Sequence, residues 1–302
     1  MMNILVVGAN MSGASALLDL LSEYSSTARI PGEFDDFRRS GLIGDILAGY
    51  ASFPDGRQKQ FALRGFDGIS PYLRASLRQR LLLKIDKYLS HVRYSARVDR
   101  INRFYKTLEV CSHGDIDRSI ESVQNYISWI ARQTGQDTDM KVFCQPVFLG
   151  FHDDFWPRCF SPFKVIFVKR NPIDQLGEIS DWPVARMEMD TPIRSLFSIY
   201  GQDKNGLVRF HSDAIFARLQ HIQRLQHELG NDQAITITFE DLVKNYDDTK
   251  SKIESLLGLS PDHHINARKK FNPEVSEKNI GRGIDKLPPE ALEIVKRRFS
   301  LE

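Results

Sequence analysis

Two short segments carry residue types suited to holding an anion. The first, Gly8-Ala-Asn-Met-Ser-Gly-Ala-Ser15, follows an apolar run from Asn3 to Val7 and leads into a helical pattern through Ala16, Leu17, Leu18, Leu20 and Leu21. It keeps the G-x4-G spacing of a phosphate loop, with Ala14 where a nucleotide triphosphatase carries lysine. Backbone N–H groups of Asn10, Met11, Ser12, Gly13, Ala14 and Ser15 at a helix N-terminus, with the hydroxyls of Ser12 and Ser15, would point at one oxyanion. The helix dipole adds about 0.3–1 kcal/mol. The same pattern also serves a plain strand-to-helix turn, so the loop acquires meaning only with a partner. That partner is the second segment, where the apolar run Val165 to Val168 passes through Lys169 into Arg170-Asn-Pro-Ile-Asp174. A guanidinium at such a turn is the side chain suited to two-point recognition of a phosphate.

Elements that could position these groups are visible in the apolar pattern. Short runs bounded by polar or turn residues occur at Asn3–Val7, Val142–Phe143, Val165–Val168 and Ile235–Phe239, and long helical patterns lie between them. That alternation predicts an α/β fold, a three-layer sandwich with a central, mainly parallel sheet. From about 70 to 135 the pattern is mostly helical, with Leu73, Leu77, Leu81, Leu82 and Ile85 at helix spacing. No linker, low-complexity tract or repeat interrupts the chain, so one domain over 1–302 is the simplest organisation.

Composition narrows the classes. With 41 Lys plus Arg against 39 Asp plus Glu, the net charge of +2 provides no global field for nucleic acid or an anionic membrane, so any anion site must be local. Cys111, Cys144 and Cys159 show neither disulfide nor zinc spacing, and no metal is expected. The N-terminus reads as a strand instead of a leader, and no stretch approaches the ~20 apolar residues of a membrane span. A cytoplasmic setting is expected; the sequence carries no sign of oligomeric state.

The Arg-Asn-Pro-x-Asp turn after an apolar strand, together with the loop, resembles the PAPS-dependent sulfotransferases. Two further segments extend the likeness in order along the chain. Phe239-Glu-Asp-Leu242, followed by a helix through Ile253 to Leu257 and then Gly258-Leu259, is similar to a structural passage of that family. Ser276-Glu-Lys-Asn-Ile-Gly-Arg282-Gly, followed by Leu287-Pro-Pro-Glu, is similar to its C-terminal nucleotide loop. The resemblance implies a donor, PAPS, whose 5′-phosphosulfate lies in the first loop and whose 3′-phosphate meets Arg170, Arg282 and Lys278, with PAP as product. It implies a base at the end of the second strand, where this chain has Pro31-Gly-Glu33-Phe-Asp-Asp-Phe37; Glu33 is the expected base. That role requires a pKa raised by burial. Asp35 and Asp36 are expected to be solvated or to meet substrate. His152, beside Asp153 and Asp154, is the alternative base, whereas His221 and His227 read as ordinary helix residues.

The chain departs from the family pattern at three donor contacts. Met11 stands where Lys or Arg precedes the Ser-Gly of the loop, Glu178 stands at the second-motif Ser, and Cys144-Gln145-Pro146 replaces a Lys-Thr-Pro strand end. Arg38, Arg39 and Arg64 are candidates for a replacement cation. The expected activity is transfer of a sulfuryl group to a hydroxyl or amine of a small-molecule or saccharide acceptor, with the helical segment choosing the acceptor. A P-loop-type small-molecule kinase is a second reading, weakened by Ala14. A non-catalytic PAP-binding scaffold is a third, favoured by Met11 and Cys144.

Overall fold

A computed structural model of the chain describes residues 1–38, 42–51, 91–134, 138–147, 150, 152–181 and 203–301. Arg39, Arg64 and the predicted helical pattern between Leu73 and Ile85 lie outside the described residues. The chain divides into two compact units, one comprising Met1–Glu33, Gln136–Phe151 and Pro162–Glu302, the other Phe34–Gly135 and His152–Ser161.

The first unit is an α/β layer structure. Its elements, labelled in chain order, are β1 (Met2–Gly8), α1 (Ala14–Leu21), β2 (Thr27–Glu33), β3 (Met140–Cys144), β4 (Phe163–Lys169), α2 (Pro172–Asp181), α3 (Lys204–Leu229), β5 (Ala234–Thr238), α4 (Phe239–Lys244), α5 (Tyr246–Leu257) and α6 (Pro289–Phe299). The described strands form one sheet in the order β2-β3-β1-β4-β5, and every pairing is parallel. Parallel strands buried on both faces need continuous apolar runs, which explains the Ile-Leu-Val-Val of β1 and the Val-Ile-Phe-Val of β4. Ile4, Val6, Ile166 and Val168 join α1 and α5 residues such as Leu17, Leu21, Ile253 and Leu257 in one core. The alternate residues Leu5, Val7, Val165 and Phe167 are equally buried, as the period of two requires. A second apolar cluster ties α2, α3 and α6 together through Leu176, Val208, Ile215, Ala291 and Val295.

The sheet order places β1 at the centre, with the chain leaving it for β2 on one side and β4 and β5 on the other. The point of reversal therefore lies between the carboxyl ends of β1 and β4, where open α/β sheets bind ligands. β2 breaks register between Arg29 and Glu33, at Pro31 and Gly32, and resumes with Glu33 paired to Cys144. The fifth strand ends one residue earlier than the apolar run, because Phe239 opens α4 under a cap in which the Thr238 side chain accepts from the Asp241 N–H.

In the second unit, the described part of the predicted helical segment forms two helices, His91–Cys111 and Ile116–Arg132. Asp115 caps the second by accepting from the Arg118 N–H at 3.1 Å. Phe34 and Phe37 meet Phe160 edge-on at ring separations of 6.1 and 5.6 Å. Asp36 is not solvated: it is buried and accepts from Tyr126 Oη at 2.6 Å and Arg100 Nη2 at 2.9 Å. Burial works against the Arg100 charge, but the neighbouring carboxylate outweighs it and holds the guanidinium protonated. All three cysteines are buried free thiols, and burial pushes Cys111 up to about 12.

Candidate functional site

The loop after β1 is shaped by two residues in the left-handed region, Met11 at φ 56° and Gly13 at φ 87°. Ser12 N–H donates to the Ala9 carbonyl at 3.0 Å, and Ala16 N–H to the Gly13 carbonyl at 3.0 Å, which opens α1. Glycine is required at position 13 on space as well as conformation, since a Cβ there would lie 2.5 Å from the Phe239 ring. Ser12 is 2% exposed and its Oγ has no hydrogen-bond partner among the described residues. A buried, unsatisfied hydroxyl in an anion-type loop fits a bound oxyanion, which would supply the missing bond. Ala14 is buried and Ser15 is exposed at the start of α1.

Residues distant in sequence hold this loop. Gln145, itself at φ 46°, accepts from Gly8 N–H at 3.2 Å, so the residue next to Cys144, which stands at the lysine of the expected strand end, fastens the start of the loop. Gln175 on α2, 1% exposed, donates its amide to the Asn10 carbonyl. Arg218 on α3 donates Nη1 to Asn10 Oδ1 at 2.8 Å. Arg218 is therefore a cation at the loop, 208 positions from Asn10, and no local sequence signal could have shown it. Beside it on α3, burial and then the Arg218 charge push His211 down to about 4.

Arg170 leaves β4 at the reversal point and is 7% exposed. Its Nη1 donates to the Met11 carbonyl at 3.2 Å and its Nη2 to the Asn279 carbonyl at 2.8 Å. The guanidinium lies 5.0 Å from the centre of the Phe239 ring. Thus the Phe-Glu-Asp-Leu segment reaches the site: Phe239 supports both Gly13 and Arg170, and Glu240 accepts from Asn171 N–H at 2.9 Å. Glu178 pairs with Arg170 at two points, Oε1 to Nη2 and Oε2 to Nη1, each 2.9 Å.

The C-terminal loop is tied to the same turn. Asp174, 3% exposed, accepts from Gly281 N–H and Gly283 N–H, both at 2.7 Å. Arg282 sits between these anchors, exposed, and Lys278 is exposed nearby; neither pairs with an acid among the described residues. Glu33 is exposed at the end of β2. His152 belongs to the second unit, where it is 1% exposed, bonded through Nε2 to Asp45 at 2.8 Å and set edge-on to Phe37. The loop residues Asn10 to Ser15, Arg170, Glu178 and the Asp174-anchored loop bearing Arg282 are thus brought together by the first unit, and His152 is built into the second. Arg38 also lies in the second unit.

A parallel sheet in this order, with an anion-type loop after its central strand and an arginine after the neighbouring one, has the fold of sulfotransferase domains. The solved sulfotransferase domain of the Synechococcus PCC 7002 olefin synthase is similar at a TM-score of 0.50 and 15% identity, over 100% of this chain and 94% of that one. The sulfotransferase domain of the curacin biosynthetic pathway is similar at 0.51 and 16%, over 100% of this chain and 99% of that one. No family model and no curated protein matches the chain. Among the described residues no helix is long and apolar enough to cross a membrane, and no cluster of metal-ligating side chains occurs.

Proposed function

We propose that the protein is a sulfotransferase that uses PAPS and moves its sulfuryl group to a hydroxyl or amine of a small-molecule or saccharide acceptor. The observation that carries this reading is the convergence of the Gly8–Ser15 loop with Arg170, linked directly through the Met11 carbonyl at 3.2 Å. When bound, the donor supplies an electrophilic sulfur and a phosphate that leaves with the bond electrons. The loop amides and the hydroxyls of Ser12 and Ser15 hold the 5′ oxyanion. Arg218 replaces the lysine absent at Met11 by neutralising charge that grows on the leaving oxygen, an effect realised mainly in the transition state. Glu33 accepts the acceptor's proton, and its exposure in this structure makes closure by the acceptor part of the reading. Arg170, Lys278 and Arg282 serve the 3′-phosphate.

A non-catalytic nucleotide-binding fold is the second reading, favoured by the carboxylate of Glu178 on Arg170. Two measurements test the pair. PAP at a hundredfold excess over Kd should stabilise the protein by about 2.7 kcal/mol in thermal unfolding. Labelled PAPS with a panel of alcohols, amines and saccharides should give a sulfated product. Stabilisation by ATP without stabilisation by PAP refutes the donor; binding of PAP with no transfer to any acceptor supports the second reading.

A further inference from the structure

We propose that Glu178 is an internal competitor for the anion site of Arg170 and determines how strongly the protein distinguishes a nucleotide bearing a 3′-phosphate from one lacking it. The inference rests on the nucleotide-binding reading above. Arg170 is a planar fork of donors, and Glu178 already takes a hydrogen bond from Nη2 and sets its other oxygen 2.9 Å from Nη1, where a phosphate would lie. The Met11 and Asn279 carbonyls take the other contacts, and Nε is buried without a partner among the described residues. No outward donor of Arg170 is left for a ligand while Glu178 stays in place.

The two partners differ in access. The Arg170 side chain is 5% exposed, whereas that of Glu178 is 30% exposed. A phosphate arriving from solvent therefore meets a carboxylate first, at a distance where like charges repel. It gains Arg170 only by displacing Glu178, so most of the attraction is cancelled by the ion pair that is lost. A nucleotide without the 3′-phosphate leaves the pair intact and meets no such competition. A serine at 178 would remove the charge and offer a donor, and Gln would remove the charge while keeping the shape.

Calorimetry with 3′,5′-ADP and with 5′-AMP on the full chain tests this in wild type, Glu178→Gln and Glu178→Ser. The expected result is that Glu178→Ser binds 3′,5′-ADP about tenfold or more tighter than wild type does, with 5′-AMP affinity unchanged. Glu178→Gln should shift the same way, and its melting temperature reports whether the fold survives loss of the pair. No gain in 3′,5′-ADP affinity in either variant overturns the inference and leaves the function reading standing. Failure of all three proteins to bind either nucleotide overturns the function reading and the inference with it.

Discussion

Replacing Asp174 by Asn should detach the C-terminal loop at a cost of about 3 kcal/mol. The carboxylate is 3% exposed and spends one oxygen on Gly281 N–H and the other on Gly283 N–H, each at 2.7 Å. Asparagine has one acceptor oxygen and one donor NH2, so in either orientation one glycine N–H faces a donor. One charge-assisted bond worth about 1.5–3 kcal/mol is lost, and the surviving bond falls to the neutral value of about 1 kcal/mol. Gly283 cannot move aside easily, because it packs against the backbone of Ile173 and Asp174. Urea unfolding at neutral pH measures the loss, and limited proteolysis between 277 and 286 should show cleavage faster than in wild type. PAP affinity should fall as well, since Arg282 is carried between the two anchors. A variant within about 0.5 kcal/mol of wild type, with unchanged proteolysis, would refute the view that Asp174 holds the loop.

Other outcomes follow from the same geometry. Burial works against the Glu23 charge, but bonds from Phe271, His264, Lys270 and Arg268 outweigh it and hold the carboxyl below its ordinary 4.5. Its contribution is present above that value and lost as pH falls through the folded one, so the urea-midpoint gap between wild type and Glu23→Gln should narrow in acid. His211 is neutral in the fold and takes a proton more readily when unfolded, so stability should drop by about 3 kcal/mol between pH 6.5 and about 4, a decline that His211→Phe should flatten. Arg218→Gln should lower turnover by about 10²–10³, with a smaller change in PAP affinity by calorimetry. Glu33→Gln should lower turnover by about 10²–10⁴ at unchanged donor affinity. Full activity in that variant, with activity lost in His152→Ala, would transfer the base to His152.

What the sequence by itself determined is local. The apolar runs of β1, β3, β4 and β5, the loop from Gly8 to Ser15 and the Arg170 turn are legible because a strand, its turn and the next helix are specified by neighbouring residues. The parallel α/β class follows from their alternation. Tertiary structure decided the partners. Arg218 reaches Asn10, Gln145 reaches Gly8, Phe239 supports Arg170, and Asp174 holds Gly281 and Gly283, all across separations that periodicity does not encode. Asp36 shows the same limit from the other side: its sequence neighbourhood reads as solvated or substrate-contacting, yet Tyr126 and Arg100 offset its desolvation from elements far along the chain. Glu178 is legible only as a departure from a family pattern. That it closes on Arg170 in a two-point ion pair depends on α2 turning its side chain back toward the end of β4, which only the folded chain displays.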